Sequence, residues 1–179
     1  MQKILTQTYK SPYGELILGV FENQLCLCDW KYRKMREAVD SRLTKGLLAE
    51  MEGGNHPVLD QTRKELEEYF SGKRTQFEVP FLTVGSDFQK SVWEALQRIP
   101  FGETRSYLQL SEELGNPDAI RAVASANGAN ALSILIPCHR IIGSDGSLVG
   151  YAGGLDAKKK LLKLEGARAF QVKGQTSLF

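Results

Sequence analysis

Histidine and cysteine are scarce in this sequence, with two and three copies in 179 residues. An odd number of cysteines, behind a start (MQKILTQTYK) without the apolar stretch of an export signal, argues against a disulfide framework. Free thiols in a reducing compartment are expected, and the cytoplasm is the expected address. No apolar run approaches the roughly 18 residues that span a bilayer, so no membrane partner is expected. Charge is also lacking: a net +2 is too small to announce a nucleic-acid binder. No compositional bias marks a collagen-like, coiled-coil or disordered chain, since 42% hydrophobic and 25% charged residues are ordinary values. What is left is a folded chain of one domain or two small ones.

Its first part reads as an antiparallel meander. KILTQTY, a turn at Ser11-Pro12-Tyr13-Gly14, ELILGVF, a turn at Glu22-Asn23-Gln24 and LCLCDW are short apolar runs separated by turn residues. Residues 33–52 are mostly polar and carry no clear period. From Pro57, the recurrence of Leu59, Leu66 and Phe70 predicts a helix to about Ser71-Gly72 that covers the sheet. Cys26 and Cys28 share a strand face at roughly 7 Å, too far for an easy bridge. His56, before Pro57, is expected in an exposed loop, and its spacing from the two cysteines does not support a zinc site. No metal or cofactor is expected.

An extended connection over residues 73–86 leads to a second pattern, with the boundary near Gly85. Ser86 or Asp87 can cap a helix carrying Phe88, Val92, Trp93, Leu96 and Ile99, stopped by Pro100 and Gly102. A short helix fits Ser106 to Leu114. Gly115 would end it, Asn116 would cap the next, and Pro117 would take that helix's first position. Two short helices across such a turn predict a helix-turn-helix. The second of them, to about Asn127, is built of small residues (Ala119, Ala122, Ala124, Ser125, Ala126) with one long cation, Arg121. It suits either a tight core or close approach to a ligand surface.

The run Ile134-Leu135-Ile136-Pro137-Cys138-His139-Arg140 carries the chemistry. Pro137 at the start of a short helical turn would place the Cys138 thiol near free backbone N–H groups, favouring thiolate, the nucleophilic form. Neighbouring side chains point apart, so His139 would need a bridging water to take the thiol proton. For a lone Cys-His pair, a structural thiol beside an incidental imidazole is the plainer account. Downstream, Gly150-Tyr151-Ala152-Gly153-Gly154 would let backbone approach a planar ligand. A last helix, expected to be capped by Asp156, ends at Glu165, a carboxylate that opposes the helix dipole and calls for a partner such as an imidazole N–H.

These pieces together resemble the O6-alkylguanine-DNA alkyltransferases. The matching motifs are Pro137-Cys138-His139-Arg140, Ser106-Tyr107, Gly115-Asn116-Pro117, Arg121-Ala122-Val123, Ala126-Asn127-Gly128, Asn130, Gly150 to Leu155 and Leu161-Leu162-Lys163-Leu164-Glu165. They fall in family order over about residues 87–166. Ala131 stands where the family has proline, and Ala124 where it has glycine. The resemblance implies an α+β chain: an N-terminal antiparallel-sheet domain with a covering helix (1–85, ribonuclease H-like) packed on a mostly helical, winged-helix-like domain (86–167), then a tail (168–179).

It also implies a reaction and its parts. An alkyl group would pass once and irreversibly from O6-alkylguanine to Cys138, with O4-alkylthymine as a further candidate substrate. His139 would take the thiol proton through water, and Glu165 would orient that ring. Arg121 would fill the space of a flipped-out nucleotide, Tyr107 would rotate the phosphate and hydrogen-bond the base, and Asn130 would hold the helix-turn-helix against the active-site segment. Ser106 and Ala122 would join the DNA face, in the minor groove. Ile141, Tyr151, Ala152 and Gly153 would form the pocket. Duplex DNA is the implied partner of a monomer, and Gln175, Leu178 and Phe179 resemble a sliding-clamp peptide. A noncatalytic DNA-binding module and a cysteine hydrolase are the competing readings.

Overall fold

A computed structural model of the chain describes residues 1–167, in two compact units, Met1–Gly85 and the part from Ser86 onward. In the first unit, β1 (Gln2–Ser11), β2 (Gly14–Phe21) and β3 (Gln24–Trp30) form the expected antiparallel meander, with Ile4 opposite Phe21 and Leu16 opposite Trp30. A fourth strand corrects the expectation of a purely antiparallel sheet. β4 (Ala49–Gly53) pairs parallel with β1, giving a mixed sheet in the order β3-β2-β1-β4. It follows α1 (Arg36–Leu47), which supplies the crossover a parallel pairing needs. The polar run at 33–52 hides both elements, because α1 buries only Val39 and Leu43 and β4 is an edge strand with one buried side chain.

α2 (Pro57–Phe70) turns Val58, Leu59, Thr62, Leu66 and Tyr69 inward. His56 is not a loose loop residue: its Nδ1 accepts the Val58 N–H at 3.0 Å and caps α2. Ahead of Pro57, which has no N–H to satisfy, the imidazole does the work usually left to Ser or Asp. Glu65 on α2 is buried and receives the backbone N–H groups of Glu78 (2.6 Å) and Val79 (3.3 Å), which pins the connecting segment to this unit. Cys26 and Cys28 are free and buried, and burial pushes the Cys26 thiol up to about 12, so neither is a nucleophile.

The second unit opens with α3 (Asp87–Gln97). Ser86 closes a capping box with Gln89, so it and not Asp87 is the cap, a contribution of about 1 kcal/mol. Val92, Trp93, Ala95 and Leu96 are buried on α3. Phe88 stays 39% exposed, and Ile99 is buried beyond the helix end. A second capping box, Ser106 with Gln109, starts α4 (Tyr107–Glu113). β5 (Arg105–Ser106) pairs parallel with β6 (Ile141–Ile142), which ties the start of α4 to the segment after the cysteine.

The turn after α4 differs from the expected cap. The Ala119 N–H bonds to Asn116 O at 3.1 Å, so Pro117 sits at the corner of a β-turn, where its fixed φ is equally suitable. α5 (Ile120–Gly128) starts three residues later, with Ala119 at its cap position. The last helix, α6 (Leu155–Leu164), is preceded by Gly154 at φ +89, a conformation that side chains resist, and Asp156 lies in its first turn instead of capping it. Among the described residues no helix is long and apolar enough to cross a membrane.

α5 is held on α3 by a buried hydrogen bond from Trp93 Nε1 to Ala126 O at 2.9 Å. Trp93→Phe keeps most of the packing and removes this bond, while Ala126 O retains the Ala129 N–H at 3.2 Å. The expected cost is about 0.5–1.5 kcal/mol, read as a lower denaturant midpoint with an unchanged slope.

Candidate active site

The site is assembled by a short stretch with unusual backbone. Ile136 N–H bonds back to Leu132 O at 2.8 Å, and between them Ile134 is held at φ +76, a strained position for a β-branched residue that costs on the order of 1–3 kcal/mol. Pro137, at φ −80 and ψ 63, is the centre of an inverse γ-turn in which the Cys138 N–H donates to Ile136 O at 2.8 Å. Pro137 is therefore not the first residue of a helical turn, and the Cys138 amide is already engaged. The 3₁₀ turn itself is Cys138–Arg140.

Asn130 organises this stretch with every atom of its amide. Oδ1 accepts the Leu132 N–H at 2.9 Å, while Nδ2 donates to Ile136 O at 2.9 Å and to Cys138 Sγ at 3.3 Å. This side chain thus donates to the sulfur. Such a contact strengthens when the sulfur is charged. Asn130 is 2% exposed and Cys138 4%, so only a sliver of the cysteine reaches the surface.

His139 is wholly buried. Its Nε2 lies 2.8 Å from Glu165 Oε2, at the C-terminal cap of α6. Arg140, buried beside it, donates from Nε to Glu165 Oε1 at 2.8 Å and from Nη2 to Oε2 at 3.1 Å, and from Nη1 to Ile99 O at 2.7 Å. The carboxylate that opposes the α6 dipole thus has two partners. Burial alone would raise the Glu165 pKa, but His139 and the two Arg140 bonds together hold it well below the ordinary carboxylate range. Burial lowers the His139 pKa, with Glu165 opposing and Arg140 and Lys158 adding to the drop. The resting pair is a neutral imidazole on an ionised carboxylate. Nε2 then carries the proton donated to Glu165, and Nδ1, buried and with no hydrogen-bond partner, presents its lone pair.

Tyr151 packs edge-on against His139 with ring centroids 6.4 Å apart, and Tyr151, Ala152 and Gly153 are half-buried. Ile141 is fully buried. Tyr107 heads α4; burial raises its pKa, Cys138 adds to the rise, and a hydrogen bond with Asn127 opposes it. Ser106 is buried, with its hydroxyl accepting the Gln109 N–H at 3.0 Å. On α5, Val123, Ala126 and Asn127 point inward, while Arg121, Ala122 and Ser125 are exposed. Arg121 has no ion pair among the described residues. Two participants escaped the sequence reading. Arg140 was visible inside the Pro-Cys-His-Arg motif without a role, and Lys158, buried in α6, was one cation in a lysine-rich helix. Gln175, Leu178 and Phe179 lie outside the described residues.

The second unit of this α+β protein thus combines a buried cysteine, an asparagine donor on its sulfur and an adjacent His-Glu pair. Residues 87–167 match the family model described as 6-O-methylguanine DNA methyltransferase, DNA binding domain, and residues 4–83 match its ribonuclease-like domain. The chain is 42% identical over 160 residues to a methylated-DNA–protein-cysteine methyltransferase of Methanosarcina acetivorans, covering 89% of this chain and 96% of that one. It is 39% identical to the constitutive enzyme of that name from Bacillus subtilis, over 88% and 93% of the two chains. The crystal structure of Mycobacterium tuberculosis OGT in complex with DNA superposes with a TM-score of 0.76 at 37% identity, covering 90% of this chain and 92% of that one. The chain belongs to the 6-O-methylguanine DNA methyltransferase family.

The depressed pKa values of His139 and Glu165 act in the same direction. The unfolded chain binds protons at these groups before the folded protein does, so their stabilisation is present at neutral pH and falls as pH drops. The denaturation midpoint is expected to decline below the ordinary histidine value of about 6.5, and further below the ordinary carboxylate value of about 4.5. His139→Gln should flatten the upper part of that decline, as followed by urea titrations between pH 7 and pH 4.

Proposed function

We propose that this protein repairs DNA by moving the alkyl group of O6-methylguanine onto Cys138, once per molecule. The observation that carries the reading is the His139 ring, buried, held through Nε2 by Glu165 and offering an unpartnered Nδ1 beside the residue whose sulfur Asn130 contacts. A water at Nδ1 would carry the Cys138 proton to the imidazole, and Glu165 would stabilise the imidazolium that forms. The sulfur then attacks the alkyl carbon. The S–C bond forms as the C–O6 bond breaks, the electron pair stays on the guanine oxygen, and the proton lent to His139 is returned to the base. The product is a thioether and an unmodified guanine. A thioether has no good leaving group, so the molecule is spent.

The nucleotide has to leave the duplex to meet a sulfur this buried, at a cost of a few kcal/mol. Exposed, unpaired Arg121 is assigned the space it vacates, and the small side chains of Ala122 and Ser125 around it suit close approach to the narrow minor groove. Tyr107 is assigned to the turned phosphate and the base edge, with Ser106 setting its position through the α4 cap. Ile141, Tyr151, Ala152 and Gly153 are assigned to the pocket. The same chemistry extends to O4-methylthymine, which offers an equivalent aryl ether carbon. DNA as partner is supported by the Mycobacterium tuberculosis relative, which is bound to DNA.

Intact-mass measurement after incubation with a duplex containing O6-methylguanine tests this. The expected result is a gain of one methyl group on Cys138, complete at one equivalent of lesion and absent in Cys138→Ala. No mass change would overturn the reading in favour of a DNA-binding module, and turnover of an acyl substrate would favour a hydrolase. A second duplex carrying O4-methylthymine tests the wider substrate range.

Arg121→Ala is expected to slow transfer from duplex about 10–100-fold, the rate equivalent of losing one to three kcal/mol of support for the extruded base. Iodoacetamide labelling of Cys138 should be unchanged, which separates a DNA role from damage to the sulfur's surroundings.

A further inference from the structure

Among the described residues of the second unit, one buried charge has neither a part in the mechanism nor a carboxylate partner. Lys158 sits in the first half of α6 with no solvent exposure, an expensive place for an ammonium. Its Nζ donates to Val149 O at 2.8 Å and Gly150 O at 3.2 Å. Both carbonyls belong to the segment that leads into Tyr151, Ala152 and Gly153, and Gly150 bends there at φ +46. Two successive carbonyls are therefore turned onto one cation from a neighbouring helix. A neutral side chain of similar length could fill the same volume without the desolvation cost, so packing alone does not account for a lysine here.

The position relative to the sulfur supplies the other half. α6 packs on the 3₁₀ turn Cys138–Arg140. The charges of Lys158 and Cys138 interact: a charged sulfur raises the Lys158 pKa, while Lys158 lowers that of His139. The other ionisable groups around this point are Arg140 and Glu165, which neutralise each other through two hydrogen bonds, and Tyr107, which faces Cys138 from α4. Lys158 is thus the nearby cation not already committed to a carboxylate among the described residues. Burial brings its own pKa down to about 8, so it still carries its proton at neutral pH.

We propose that Lys158 is a positioning residue for the transfer reaction, holding the Val149–Gly150 segment beside the pocket and supplying the positive charge that stabilises the Cys138 thiolate. The inference rests on the alkyl-transfer reading for its biological purpose, but its physical content is a property of the free protein. The ammonium does two jobs at once: removing it frees the two carbonyls and withdraws the counter-charge of the sulfur. The Lys158 charge also adds, after burial and Arg140, to the lowering of the His139 pKa.

The test is the pH profile of Cys138 carboxamidomethylation by iodoacetamide, with the labelled peptide identified by mass, in wild type, Lys158→Met and Lys158→Arg. Methionine keeps length and apolar volume and removes the charge. The inflection in Lys158→Met is expected to move at least about one pH unit upward, making labelling about tenfold slower at pH values below both inflections, with Lys158→Arg recovering part of the loss. A rate lowered equally at every pH, with the inflection unmoved, would overturn the charge role and leave only a structural one. Should Lys158→Met fail to fold, the wild-type protein still decides. The Lys158 amine, followed by ¹⁵N NMR, should titrate at a lower pH once Cys138 is alkylated and uncharged, and an unchanged midpoint overturns the inference. Wild type that labels normally yet accepts no methyl from duplex would defeat the repair reading and not this one; normal methyl transfer with an unmoved inflection in Lys158→Met would do the reverse.

Discussion

Glu165 is the constraint around which the second unit is organised. Its carboxylate ends α6 against the helix dipole and lies in the interior, so it needs cationic or N–H partners to be tolerated there. Arg140 supplies two of these bonds and His139 a third, and both come from one three-residue turn. The end of α6 and the turn that carries Cys138 are thereby fixed to each other. Arg140 extends the bracing to Ile99 O, just past the end of α3, and so reaches the helix on which α5 is held through Trp93. The bonds that keep the carboxylate ionised are therefore also the bonds that aim the imidazole.

Around that centre, the site consistently uses side chains where many enzymes use main chain. The Cys138 amide is spent on an inverse γ-turn, and Asn130 donates to the sulfur. The strained Ile134 is held by the same asparagine, whose Oδ1 fixes the Leu132 amide at the start of the loop. One amide thus stabilises the loop and contacts Cys138 Sγ. Lys158 extends the pattern to the Val149–Gly150 segment, where a side chain again governs the course of the backbone.

The two units differ in how much of them could be read from the chain. In the first, β1 to β3 and α2 follow from apolar periodicity, because each buries one regular face. α1 and β4 bury so little that their residues carry no period, and a parallel edge strand such as Ala49–Gly53 is defined by a partner some 47 positions away. In the second, the starts of α3 and α4 are legible from Ser86 and Ser106, whose hydroxyls act within three residues of themselves. The start of α5 was misplaced because Asn-Pro serves a β-turn and a helix cap equally well, and only the following geometry selects between them. Asp156 has the residue type of a cap for α6, whereas the position is held by a glycine at positive φ.

For the site, the ordered motifs of the family resemblance single out Cys138, His139, Glu165, Asn130 and Arg121, and the fold brings the first four together. Their roles depend on distances between residues up to 41 positions apart: Glu165 to His139 and Arg140, and Arg140 to the Ile99 carbonyl. Linear order carries no information about which of several buried cations meets which carboxylate. Arg140 and Lys158 therefore look alike as letters, and only the folded chain turns one onto Glu165 and the other onto two backbone carbonyls beside the pocket, because burial obliges each charge to find the polar partner within its reach.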